Sequence, residues 1–241
     1  MNVGIHRVAI LPFGMVNCHL LIGETGCILV DAGLPGSECK ILAALHRHGR
    51  VWSDIKLIVV THAHVDHAGA AANVRALSGA PILAHAGDLE FYEQRKTMTF
   101  CDTGWFGRLF LRTGLIKQPY APFTPDILIG EGEEFELDRF GVPGLAMHTP
   151  GHTAGSASVC LAGGDAVVGD LVASGILLGG LIRTKHAKQP PFEDDPRRVA
   201  EQLMRLTRKG GTCFHMGHGG PLHVSEVERH ARALVSRALR P

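Results

Sequence analysis

The chain has 241 residues, 45% hydrophobic and 20% charged, with 24 Lys+Arg against 23 Asp+Glu for a formal net charge of +1. This is a globular composition long enough to bury a substantial core, which excludes disordered and fibrous classes. So small a charge argues against a phosphate-neutralising surface and hence against nucleic acid as partner, and the apolar stretch Leu171–Ile182 is too short to cross a membrane. In chain order, Val8–Leu11, His19–Gly23 and Cys27–Val30 read as short strands parted by turn residues. Leu34–Ser37 then opens a helix with apolar Ile41, Leu42 and Leu45. Leu57–Val60 is a continuous apolar run with β-branched residues, the pattern of a buried central strand, followed by an Ala-rich helix over Gly69–Leu77. Pro81–Leu83 is a strand and Ala86–Gln94 is helical. Further on, Leu145–His148, Ala157–Leu161 and Ala166–Val168 read as strands. Pro196–Arg208 is an amphipathic helix, Thr212–His215 a last strand, and Ser225–Leu239 a closing helix with Ser225 as N-cap and Glu228 three residues later. Strands followed by helices, twice over, predict an α/β sandwich in layers.

Three features stand out from that background. Eight of the fourteen aromatic residues fall between Phe91 and Phe123, an insert that suits a core contribution, a lid over a pocket or a subunit interface. The six cysteines show no CxxC pair and no regular spacing, so reduced and mostly buried thiols are expected. Together with the lack of a signal-peptide pattern, this points to the cytoplasm. Finally, there are 15 histidines. His6, His46, His48, His223 and His230 read as solvated surface, His85 as an exposed strand end or, alternatively, part of a cleft wall, and His148 and His215 as supporting or packing residues.

The informative histidines lie in Thr61-His62-Ala63-His64-Val65-Asp66-His67-Ala68-Gly69, where the buried strand ends and a helix begins. Imidazole suits zinc and iron, and a carboxylate balances the charge of a dication. On a loop, His62 and His64 can face one point while Asp66 and His67, turning into the helix, face another. Gly69 eases the start of that helix. Buried imidazoles and carboxylates need partners, so this cluster is not ordinary core. His152 in a Pro/Gly turn, Asp170 after the next apolar run and His218 in Met216-Gly217-His218-Gly219-Gly220 each follow a strand, where layered α/β folds assemble their sites.

The pattern His62-x-His64-x-Asp66-His67, then His152, Asp170 and His218, resembles the metallo-β-lactamase fold superfamily across nearly the whole chain. The resemblance implies a four-layer αββα sandwich, one domain over residues 1–241 with the aromatic-rich insert at about 91–123. It implies a first metal held by His62, His64 and His152, a second held by Asp66, His67 and His218, and Asp170 bridging the two. Asp31, in Leu29-Val30-Asp31-Ala32-Gly33, would support the ligand loop without binding metal. The cofactor expected is two Zn2+, iron or manganese being admissible.

Two such dications would share a water and lower its pKa toward about 7, and the bridging hydroxide expected from this would attack a carbonyl polarised by one metal. Asp66 would orient that nucleophile and carry its proton to the leaving group. The chain departs from individual subfamilies: 23 residues follow His218, too few for the helical glutathione-binding domain of glyoxalase II. Leu171-Val172-Ala173-Ser174 also lacks the tyrosine that acyl-homoserine lactonases place after the bridging aspartate. The expected activity is therefore hydrolysis of a small-molecule ester, lactone or thioester. Trp105 and Phe106 are candidates for an apolar pocket, and Lys185 and His186 for attracting an anionic substrate. A rival expectation is a mononuclear-iron oxidoreductase resembling persulfide dioxygenases, with His62, His152 and Asp170 as ligands; a metal-bound non-catalytic module is a third. A homodimer through Leu171–Ile182 is compatible with the composition.

Overall fold

The computed structural model describes residues 3–176, 179 and 182–238; part of the apolar stretch 171–182 and Leu239 lie outside them. Strands β1 (Gly4–Leu11), β2 (Val16–Ile22), β3 (Cys27–Val30), β4 (Ile55–Val59), β5 (Ile82–His85) and β6 (Ile127–Ile129) form one sheet in that order. The first three are antiparallel neighbours, and β3 through β6 run parallel. The chain then supplies β7 (Glu134–Glu136), β8 (Gly144–His148), β9 (Ala157–Leu161) and β10 (Asp165–Val167). After these come a two-stranded ribbon, β11 (Ala173–Ser174) with β12 (Ala187–Lys188), and finally β13 (Cys213–His215) and β14 (Leu222–His223). The second sheet has the order β14-β13-β10-β9-β8-β7, with β10 and β13 its parallel pair.

Period-two alternation within apolar strands decides how the layers stack. Leu21, Ile28, Val30, Leu57, Val59 and Leu83 turn toward the second sheet and meet Ala146, Ala157, Val159 and Val167. Their neighbours Leu20, Leu29 and Ile58 turn the other way and pack with Ile41, Ala44 and Leu45 of α1 (Glu38–Arg47). The remaining helices are α2 (Val65–Ala68), α3 (Ala71–Ser78), α4 (Leu89–Tyr92), α5 (Trp105–Thr113), α6 (Pro196–Arg208) and α7 (Val224–Ala238). On the far side of the second sheet, Ala166 and Phe214 pack against Val199, Leu203 and Leu206 of α6 and Val227, Ala231 and Leu234 of α7. The result is the αββα sandwich that the resemblance implied. Burying each large apolar side chain contributes roughly 1.5–3 kcal/mol relative to exposure.

Helix α6 starts as its sequence dictates: Pro196 occupies the first turn and Asp195 accepts from Arg197 N and Arg198 N, each at 3.0 Å. Helix α7 departs from expectation. It begins at Val224, and the ring of His223, accepting from Ser225 N at 3.3 Å, takes the place expected for Ser225. Nor are the thiols mostly buried: Cys18 and Cys27 are, but Cys39 and Cys101 are exposed, and all six are unpaired. No helix among the described residues is long and apolar enough to cross a membrane.

Candidate metal centre

The sandwich brings several loops to one edge. His62 and His64 lie just beyond β4, Asp66 and His67 in α2, His152 beyond β8, Asp170 beyond β10 and His218 beyond β13. All seven side chains are buried. Two glycines permit the close approach. Gly69 has an ordinary helical φ, so its role is not the conformational one expected. A Cβ there would stand 2.3 Å from the Val65 carbonyl oxygen and 2.5 Å from Pro35. A Cβ on Gly217 would stand 2.3 Å from the His67 ring and 2.5 Å from Asp170 Oδ1.

Ligand types fall into two groups, His62, His64, His152 and Asp170 in one and Asp66, His67 and His218 in the other. His152 Nε2 stands 3.2 Å from both His62 Nε2 and His64 Nδ1. Ring nitrogens held at about 2.05 Å around a tetrahedral zinc are about 3.3 Å apart, so both separations fit one dication. Burial holds all three imidazoles neutral, aided by neighbouring histidines: His62 is well below its usual range, His64 falls to about 3 and His152 to about 4. Neutral imidazole is the ligand form.

Asp170 lies between the groups. Its Oδ1 is 3.4 Å from His67 Nε2, while its Oδ2 is 3.0 Å from His218 Nε2 and 3.8 Å from His152 Nε2. His218 Nε2 is also 3.4 Å from Asp66 Oδ2. Burial opposes charge on His67 and His218, yet Asp170 and its fellow carboxylates prevail, raising His67 well above its usual range and His218 to about 10. These carboxylates demand positive charge. Asp66 Oδ1, Asp170 Oδ1 and His67 Nε2 are buried with no hydrogen-bond partner, three donor atoms of the kind that coordinate a cation.

Supporting residues fix these orientations. Asp31 Oδ2 accepts from Thr61 Oγ1 at 2.9 Å and lies 2.8 Å from His67 Nδ1, and Oδ1 accepts from Thr61 N at 2.8 Å. That arrangement leaves His67 Nε2 facing the cleft. Thr61 Oγ1 is also 3.0 Å from His62 Nδ1, and His218 Nδ1 contacts the Met15 carbonyl oxygen. Asp88 ties the loops together: its carboxylate accepts from Ala63 N at 3.0 Å, Thr153 Oγ1 at 2.9 Å and Gly155 N at 2.8 Å. Burial pushes Asp88 up to about 6 against those three hydrogen bonds. Sequence reasoning missed Thr61 and Asp88, which have no ligand spacing. The signal for Asp88 was an acid three residues past a buried strand.

The aromatic insert divides. Tyr92 and Phe123 join the core, while Phe100 and Phe110 gather with Val65, Ile116 and Phe192 beside the metal cleft, which Phe110, Ile116 and Phe192 line. Trp105, Phe106 and His186 line a different cavity with Arg183 and Lys188; it shares Pro191 with the cleft, and Lys185 is not part of its wall. Two histidines expected at the surface are buried instead. His85 stacks on His148 at 3.5 Å between centroids, with His148 Nε2 2.9 Å from the Ala154 carbonyl oxygen, and His230 is only 4% exposed.

Residues 11–204 match the family model described as the metallo-beta-lactamase superfamily. The chain is 27% identical to the probable metallo-hydrolase YflN of Bacillus subtilis, over 97% of this chain and 90% of that one. It is 29% identical to the probable metallo-hydrolase YqgX of the same organism, over 72% and 73% of the two chains. Among solved structures, a metallo-beta-lactamase family protein from Thermus thermophilus superposes with a TM-score of 0.67 at 24% identity, covering 98% of this chain and 79% of that one. With the fold, the ligand geometry and the matched span in agreement, the chain belongs to the metallo-beta-lactamase superfamily.

Proposed function

We propose that the protein is a dinuclear zinc hydrolase that cleaves a small-molecule ester, lactone or thioester. The observation that carries this reading is the convergence of five imidazoles and two carboxylates in two groups at one buried edge, with Asp170 facing both. His62, His64 and His152 would hold one ion, Asp66, His67 and His218 the other, and Asp170 both. Bound there, the metal supplies Lewis acidity toward the carbonyl and lowers the pKa of water to about 7.

The remaining work belongs to the chain. Asp66 Oδ1, buried and unpaired, receives a proton at the cleft and returns it to the leaving group. Asp31 and Thr61 keep His67 and His62 aimed inward, so no reorientation is needed as charge develops. Phe110, Ile116 and Phe192 exclude water and favour an apolar acyl group.

The test is a panel of activated esters, lactones and thioesters assayed on the zinc-loaded protein and on Asp66→Asn. The variant is expected to keep its fold and lose at least about 100-fold in turnover. Undiminished hydrolysis by Asp66→Asn contradicts the assigned role. Iron in place of zinc, with oxygen uptake on a persulfide, contradicts hydrolysis altogether.

A further inference from the structure

Strands β10 and β13 pair in parallel, with Asp165 opposite Cys213 and Val167 opposite His215. Residues two apart on a strand share a face, so Asp165, Cys213 and His215 lie on the side of Val167, which packs between the sheets. Ala166 and Phe214 turn to the helices. His215 Nε2 is 2.8 Å from Asp165 Oδ1 and 3.7 Å from Cys213 Sγ, and one ligand atom from each residue falls within 4.8 Å of the others. Around a tetrahedral zinc the nitrogen–sulfur separation is about 3.6 Å and the nitrogen–oxygen separation about 3.4 Å. The thiol therefore already stands at ligand distance, and the carboxylate reaches it by withdrawing about half an ångström.

We propose that Asp165, Cys213 and His215 form a separate metal site for zinc or another borderline-soft divalent transition ion. A thiolate, an imidazole and a carboxylate select such an ion over magnesium or calcium. The His215 and Asp165 side chains are 15% and 37% exposed, which leaves room for solvent as a fourth ligand. The nearby charges tolerate a cation. His19, which meets His215 edge-on from the first sheet at 5.7 Å between centroids, is held neutral by burial and by His215, down to about 3. Arg7 directs its guanidinium to the Gly220 carbonyl oxygen. Without metal, burial and Asp165 hold the Cys213 thiol above its usual range, so this is not an activated nucleophile. As the metal–sulfur bond forms, the thiol proton passes to water. The site shares no residue with the buried His/Asp centre, although His218 follows β13 by three residues.

Cobalt distinguishes the two centres. A thiolate ligand gives cobalt an intense near-ultraviolet charge-transfer band that imidazole and carboxylate ligands do not, and the His/Asp centre contributes no thiol ligand. The full chain should show this band at saturation and bind one equivalent more cobalt than Cys213→Ser. The variant should lose the band and that equivalent while retaining its circular dichroism and the visible absorption of its remaining cobalt. Asp165→Asn should keep the band but require more cobalt for half-saturation, by at least the about tenfold that loss of a supporting partner costs. A saturated spectrum of the unaltered protein without the band, or a band that survives in Cys213→Ser, overturns the proposal.

Discussion

Asp31 shows how much of the geometry of the buried His/Asp cluster is held by a residue outside the two candidate ligand groups. Its carboxylate engages both the backbone and hydroxyl of Thr61 and the Nδ1 edge of His67. Its own backbone sits at φ 62, a conformation that aspartate and asparagine tolerate. Asp31→Asn preserves size and backbone but removes the charge that fixes His67. Metal affinity, measured by chelator competition, should fall roughly 10–100-fold. An unchanged affinity would show that His67 is oriented by other means. At this scale the seven residues that converge at the edge were legible because metal-ligand residue types recur at strand ends, four of them within six consecutive positions. Thr61 and Asp88 were not, since a hydroxyl or a carboxylate that hydrogen-bonds a loop has no spacing of its own. Burial of His85 and His230 was equally hidden: a polar side chain is buried by tertiary neighbours, not by local pattern.

Among the elements, the central strands were readable because both faces are buried and the run is continuously apolar. Leu57, fully buried between the sheets, should cost about 2–5 kcal/mol when truncated to Ala, measurable by denaturant unfolding. The short strands β6, β7 and β14, of two or three residues each, carried too little pattern to be seen, and their pairing comes from the sheet they join. The segment joining β12 to α6 contains a titratable group with a definite consequence. Glu193 is buried, with Gln189 donating to Oε2 at 2.6 Å, and burial raises its carboxyl from 4.5 to about 7. A carboxyl raised in the folded state contributes stability that is fully present below the unfolded value and lost as pH rises through about 7. Glu193→Gln does not titrate. Relative to that variant, the unaltered protein should therefore lose up to about 3 kcal/mol between about pH 4 and about pH 8. Parallel stability curves for the two proteins would contradict the shift.

For the molecule as a whole, a net charge of +1 conceals a strong asymmetry, because Asp31, Asp66 and Asp170 are buried together at one edge. The layered architecture was legible as a class, from strands and helices alternating twice, and the resemblance in the ligand pattern sharpened it to αββα. The division of the aromatic insert between core and cleft was not legible, since composition gives the rings but not their directions. If the buried His/Asp cluster makes this chain a metal-dependent hydrolase, activity must follow metal occupancy at that edge. The decisive experiment is turnover of an activated ester or thioester during stepwise return of zinc to chelator-stripped protein. The stripped protein should show no hydrolysis and recover as zinc is restored, with no recovery in His62→Ala. Full turnover by the stripped protein, or recovery undiminished by His62→Ala, would contradict a metal-dependent hydrolase.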